Sequence, residues 1–250
     1  FTYPDGDGRK IILNDVSVSF ELGKFYTILG SSGSGKTTFL SLIAALDKPE
    51  KGEILYCGKN IEKEGYERYR RNDIGIVFQS YNLIPYMNAL ENVMVAMSIS
   101  DHKCEGNMKE KALEILESVG IDGTKATRRV NRLSGGEQQR VAIARAISTN
   151  AKVILADEPT GNLDSHTSED VMHLMKDVVR KEKRTLVMVT HDNHLAEYAD
   201  RVFHIIDGKI VKIEENHHEK EESLQEKDEG STGKKTERNP VKKDERVQVD

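Results

Sequence analysis

Nine consecutive residues, Gly30-Ser31-Ser32-Gly33-Ser34-Gly35-Lys36-Thr37-Thr38, carry the strongest chemical signal in the chain. They fit the spacing G-x-x-x-x-G-K-[ST], in which backbone N–H groups cradle polyphosphate. Lys36 is expected to reach the β and γ groups, and the Thr37 hydroxyl to hold Mg²⁺. The flanking pattern suits this chemistry. Phe25 to Leu29 reads as a buried strand, and Phe39, Leu40, Leu42 and Ile43 give the run after the loop an apolar helical face.

Asp157 and Glu158 follow the apolar run Val153-Ile154-Leu155-Ala156. Carboxylates at the C-terminal end of a central strand face the ligand crevice of an open α/β sheet. Asp157 is therefore expected to hold Mg²⁺ and Glu158 to polarise water. His191 ends the run Leu186-Val187-Met188-Val189-Thr190 on the same edge, where it can donate to a phosphate or position the water; Thr190 and Asp192 are alternative carriers of that role. Gln79 ends Ile74 to Phe78, and its amide is a candidate metal ligand. Tyr3, before Pro4-Asp5-Gly6, is an aromatic that either packs or stacks on a base.

Leu133-Ser134-Gly135-Gly136-Glu137-Gln138-Gln139-Arg140 reads as a helix start, with Ser134 and Glu137 at capping-box spacing. Gly135 and Gly136 permit close backbone approach. A helix N-terminus with free N–H groups attracts anions. One nucleotide needs one such loop, so a second phosphate site makes sense if it serves a nucleotide held by another copy of the chain.

The elements that must hold these residues alternate along 1–213. Leu13 to Phe20 alternates like a half-buried strand, with Val16, Val18 and Phe20 on one face; Ile54 to Cys57 and Ile74 to Phe78 are further strands. Val153 to Ala156 and Leu186 to Val189 are continuously apolar, as in a parallel sheet covered on both faces. A helical pattern at Ser168 to Arg180 supplies the crossover between them. Val202 to Val211 reads as a hairpin about Asp207-Gly208. Residues from about 82 to 132 are helical in pattern and form an insertion, with Met87, Met94 and Met97 as core fillers.

From 214 to 250 the composition changes. Twelve acidic and eight basic residues occur with almost no large apolar ones, which predicts a charged, disordered tail. The whole chain of 250 residues has a net charge of −5, which offers nucleic acid no basic field. Cys57 and Cys104 form no CxxC pair, and no run approaches the ~18 apolar residues of a membrane span. Phe1 in place of Met implies residues upstream.

Taken together these residues resemble the nucleotide-binding subunit of an ABC transporter. The resemblance covers 1 to about 213, with six motifs in the family's order. Gly30–Thr38 is its Walker A loop, Gln79 its Q-loop and Leu133–Arg140 its signature. Val153–Glu158 is its Walker B strand, Gly161-Asn162-Leu163-Asp164 its D-loop and His191 its switch histidine. Asn82-Leu83-Ile84-Pro85, Ala89-Leu90-Glu91-Asn92-Val93 and Ala156 to Ser165 resemble the lipoprotein-releasing and macrolide-export ATPases. The resemblance implies an α/β P-loop NTPase core with a mixed sheet, an N-terminal antiparallel β subdomain and an inserted α-helical subdomain. It also implies ATP and Mg²⁺ as ligands, and Tyr3 as an adenine stacker. In a head-to-tail homodimer, Ser134, Gly135 and Gly136 would meet the partner's ATP and Asp164 would report across the interface. The membrane partner is a separate permease, docked on Tyr81 to Met97 at the cytoplasmic face, for export, antimicrobial-peptide resistance or force transmission. Two alternatives are a cell-wall regulator without transport and an ABC-type ATPase on nucleic acid. Only 98 residues separate Gly35 from Ser134, too few for the long coiled coil of the chromosome-maintenance relatives.

Overall fold

The central strands are nearly continuous apolar runs because helices or a second sheet cover both of their faces. The structure, a computed structural model, describes residues 1–5, 8–216 and 246–249, with the backbone alone for 3–5 and 8–10. The chain begins with β1 (Thr2–Asp5), β2 (Gly8–Ile11), β3 (Val18–Glu21), β4 (Phe25–Leu29) and α1 (Lys36–Ile43). It continues through β5 (Ile54–Tyr56), β6 (Lys59–Asn60), α2 (Ile61–Glu64), α3 (Tyr66–Asn72) and β7 (Ile74–Phe78). Helices α4 (Ala89–Ile99), α5 (Met108–Ser118), α6 (Gly123–Ala126) and α7 (Gly135–Ser148) come next. The last elements are β8 (Val153–Asp157), α8 (Ser165–Glu182), β9 (Thr185–Thr190), α9 (Asn193–Ala196), β10 (Arg201–Ile206), β11 (Lys209–Glu215) and β12 (Arg246–Val249).

Six strands form a mixed sheet in the order β11-β10-β4-β9-β8-β7, and β10–β11 is its antiparallel pair. The other neighbours are parallel, so their C-terminal ends share one edge. Inside the continuous apolar runs a period of two survives. Phe25, Leu29, Ile154, Ala156, Leu186 and Met188 join the core under α7 and α8. Tyr26, Ile28, Val153, Leu155, Val187 and Val189 join the core with α1 and the small antiparallel sheet. Met97 is buried and Met94 packs against the same core, so these methionines fill space.

The hairpin turns where expected, with Asp207 at φ 46° and Gly208 at φ 71°, as a two-residue turn of the I′ class demands. The alternation from Leu13 does not make one long strand. Asp15 takes φ 54°, which breaks extended pairing, and β3 starts at Val18. The expectation of a disordered tail over 214–250 is corrected at both ends. β11 runs on to Glu215, and β12 lies inside the four-stranded antiparallel sheet β3-β12-β5-β6. Composition averaged over the tail hides a single Val-x-Val repeat whose partners lie far away in sequence. Residues 217–245 lie outside the described residues. Among the described residues no helix is long and apolar enough to cross a membrane.

Candidate functional site

The loop after β4 closes on its own lysine. Gly35 holds φ 102° at the N-terminus of α1, a conformation that favours glycine. Lys36 is 5% exposed, and its ammonium donates to the carbonyls of Gly30 at 2.9 Å and Ser31 at 2.8 Å. Gly30 has no room for a side chain, since a Cβ there would stand 2.5 Å from the Ile205 carbonyl. The loop is braced by the hairpin turn, where the Gly208 N–H donates to the Ser34 carbonyl at 3.0 Å. A Cβ on Gly208 would lie 1.9 Å from the Ile12 carbonyl. Ser34 is buried and its hydroxyl has no hydrogen-bond partner among the described residues. A buried unsatisfied hydroxyl is costly unless something polar meets it, so the loop fits a phosphate oxygen.

Thr37 and Asp157 come together from α1 and β8, the Thr37 hydroxyl donating to Asp157 Oδ1 at 3.3 Å. Burial raises the Asp157 pKa, and the Thr37 hydrogen bond and the Lys36 charge only partly oppose this. A hydroxyl beside a half-buried carboxylate is a hard oxygen donor set of the type Mg²⁺ accepts. Because its folded-state pKa is raised, ionised Asp157 opposes folding above that pKa, and the opposition fades as pH falls through it. Asp157→Asn should therefore raise the melting temperature of the nucleotide-free protein at neutral pH by a few degrees. Calorimetry at pH 7 checks this; an unchanged or lower melting temperature would contradict the burial argument.

Glu158 turns sharply out of β8 with φ 43°, held by its N–H donating to the Val189 carbonyl at 3.0 Å. A left-handed glutamate stores backbone strain of ~1–3 kcal/mol. The turn brings Glu158 Oε1 to 2.9 Å from His191 Nδ1. The contact ties the imidazole to the carboxylate, with the ring N–H donating to the oxygen, and leaves the His191 side chain 62% exposed. Gln79 is held elsewhere: its amide donates to Asn162 Oδ1 at 3.3 Å, and Asn162 donates back to the Gln79 carbonyl at 3.0 Å. Thr37 and Asp157 thus meet directly, whereas Gln79 is tied to the loop after β8.

Ser134 caps α7 as its spacing predicts. Its hydroxyl accepts from the Glu137 N–H at 3.3 Å, and Glu137 accepts from the Ser134 N–H at 2.9 Å. Hydrogen bonds from Ser134, with Lys125 nearby, hold the Glu137 carboxyl below its usual range. Gly135 leaves space for the Tyr81 hydroxyl, 2.9 Å from where its Cβ would be, and Gly136 for the Thr167 methyl at 2.4 Å. Asp164 caps α8, accepting from the Thr167 N–H at 3.0 Å and hydroxyl at 2.7 Å. Tyr3 lies on β1 opposite Lys10 in register, and its side chain lies outside the described residues.

Two positioning groups were not singled out from sequence. Asn162 lies in the run Gly161 to Asp164, but its bond to Gln79 joins residues 83 apart in sequence. Arg145 donates from α7 to the carbonyls of Tyr81 at 3.0 Å and Asn82 at 2.5 Å, both of which have positive φ. Its signal was a lone charge within Val141-Ala142-Ile143-Ala144-Arg145-Ala146-Ile147.

The ABC transporter family profile matches residues 13–161, more than half of the chain. The chain belongs to the ABC transporter ATP-binding family. An uncharacterised ABC transporter ATP-binding protein of Bacillus subtilis, YclH, is 47% identical over 205 residues, covering 82% of this chain and 90% of its own. A lipoprotein-releasing system ATP-binding protein of Rhodopirellula baltica, LolD 2, is 40% identical, covering 80% of this chain and 81% of its own. Among solved structures, the dimeric post-hydrolysis state of the cassette MJ0796 with ADP and Pi has a TM-score of 0.79 at 38% identity. That match covers 87% of this chain and 96% of the other. This ABC ATPase has the family's α/β fold, and ATP hydrolysis is its activity.

Proposed function

We propose that this ATPase drives a separate integral membrane permease, working as a head-to-tail homodimer at the cytoplasmic face of the membrane. One observation carries the dimer. The loop 30–38 is braced by Ile205, Gly208 and Ile12, whereas the Ser134–Gly136 turn is braced by Tyr81, Leu163 and Thr167. Each opens a helix, whose free N–H groups attract anions, and separate supports suit two halves of a composite site. The dimeric state of MJ0796 supports the same reading.

In this mechanism the 30–38 loop and Lys36 bind the phosphates of ATP. Thr37 and Asp157 would hold Mg²⁺, and Gln79 would join them as a ligand only by giving up its bond to Asn162. When bound, Mg²⁺ supplies charge neutralisation at the phosphate oxygens. Glu158 polarises the attacking water, and His191, in contact with Glu158 at 2.9 Å, holds the γ-phosphate. Ser134, Gly135 and Gly136 contact the ATP of the partner, and Asp164 lies on the loop that faces it. ATP then closes the dimer and hydrolysis reopens it. The similarity to the lipoprotein-releasing ATPase supports export as the work done, with force transmission the alternative.

The permease would dock on the segment Tyr81 to Met97. Tyr86, 71% exposed, is a large aromatic on that surface. Tyr86→Glu should cut co-purification with the permease by tenfold or more and leave the ATPase rate of the isolated subunit unchanged. A quantitative pull-down of co-expressed subunits checks it, and undiminished capture would argue against this docking surface.

A further inference from the structure

One backbone position gives the Gln79 amide a choice of two seats. Phe78 stands opposite Asp157 in the parallel pair β7–β8. Gln79 therefore leaves the sheet about one strand spacing, ~4.8 Å, from the chain that carries Asp157 and Glu158. Its side chain lies instead along the loop after β8. A Cβ on Gly161 would stand 2.6 Å from Gln79 Nε2, 3.1 Å from Cδ and 3.4 Å from Cγ, so the bare glycine is the surface on which the amide rests. Asn162 closes that seat, accepting from Gln79 Nε2 at 3.3 Å and donating to the Gln79 carbonyl at 3.0 Å. Thr37 and Asp157 meet each other without Gln79.

The backbone is pinned on both sides of this contact. On the Asn162 side, the Gly161 N–H donates to the Glu158 carbonyl and the Leu163 N–H to the Thr160 carbonyl, each at 3.0 Å, and Asp164 caps α8. On the Gln79 side, the Tyr81 N–H donates to the Phe78 carbonyl at 3.1 Å. Tyr81 and Asn82 that follow are both left-handed, at φ 61° and 47°, a costly pair whose carbonyls Arg145 holds. What can change at low cost is the rotamer of the Gln79 side chain.

We propose that Asn162 is a positioning residue that competes with the divalent cation for Gln79. Gln79 as a cation ligand, part of the function proposed for this ATPase, is the premise. With the amide resting on Gly161, Thr37 and Asp157 offer the cation their oxygens without it. Once released, Gln79 Oε1 adds another hard oxygen donor. The bond from Gln79 Nε2 to Asn162 must break for this, whereas the Asn162 bond to the Gln79 backbone carbonyl can stay. Asn162 thus lowers the affinity for the cation and keeps it exchangeable between turnovers.

The test measures the cation's share of nucleotide binding in the full chain at submicromolar protein. A fluorescent non-hydrolysable ATP analogue is titrated in saturating Mg²⁺ and again in EDTA, and the ratio of the two affinities is read. A change common to both titrations cancels in that ratio. Gln79→Ala should lower it. Asn162→Ala should raise it ~5-fold, the worth of one net hydrogen bond. Gly161→Ala should raise it too, since its methyl takes the seat of the amide and Gly161 has no left-handed φ for alanine to strain. In a Gln79→Ala background neither variant should move it. An unchanged or lower ratio in Asn162→Ala, with Gln79→Ala still lowering it, would overturn the competition and leave Gln79 as a ligand. No effect of Gln79→Ala would remove the premise, and the proposal with it. A rise that persists without Gln79 would assign the effect to the loop and overturn the proposal as well.

Discussion

Glu158→Gln should bind ATP with wild-type affinity and turn it over ~10²–10⁴-fold more slowly, the range that general-base assistance contributes. The substitution keeps the side-chain length, so it leaves room for the turn at φ 43° and the contact with His191 at 2.9 Å. What it removes is the carboxylate charge that draws a proton from water. Lys36 and the loop 30–38 are untouched, which is why binding survives. With hydrolysis blocked, ATP should hold the dimer closed, so light scattering should report a stable dimer in ATP and a monomer after nucleotide removal. Excess EDTA should abolish turnover in the wild type through Thr37 and Asp157. Turnover by the Gln variant at the wild-type rate would remove Glu158 from the chemistry. A dead variant that also failed to bind ATP would point to a damaged fold.

Ser134→Arg is the second large effect, with ATP binding to the monomer retained and turnover falling at least a hundredfold. Ser134 is exposed at the start of α7. Replacing it introduces a long cation where the partner's phosphates are proposed to sit, and also removes a helix cap worth ~1 kcal/mol. Glu137→Ala separates the two effects. It breaks the reciprocal cap and leaves the Ser134 hydroxyl in place, so it should lose stability and keep turnover. Monomer affinity by fluorescent-nucleotide titration and turnover against protein concentration read both variants. Normal turnover in Ser134→Arg would reduce the motif to a capping box. Equal loss in Glu137→Ala would assign the effect to the helix instead.

Short-range patterns were read well wherever one physical rule fixed them. The strands Phe25–Leu29 and Ile74–Phe78 coincide with their short apolar runs, the first buried throughout and the second, at the sheet edge, buried in part. The Asp207-Gly208 turn coincides because two successive left-handed residues are needed. The capping box at Ser134 and Glu137 coincides because its partners are three residues apart. Where an isolated residue took an unusual conformation, the pattern misled. Asp15, left-handed, cut short the strand read from Leu13.

The sequence by itself determined the chemistry on offer: a phosphate loop, carboxylates after an apolar strand, a capped glycine turn, and through their joint order an ABC ATPase. These are local facts, carried by residue type and spacing over a few positions. Tertiary structure alone decided which distant groups meet. Strand order brings Thr37 to Asp157 and Glu158 to His191, ties Gln79 to Asn162, and lays the Gly208 turn under Ser34. It also drew Val247 and Val249 out of a charged segment into the core beside Phe20. Such contacts close loops of 30 to more than 200 residues, and no short window of sequence records which partner will be found at the other end.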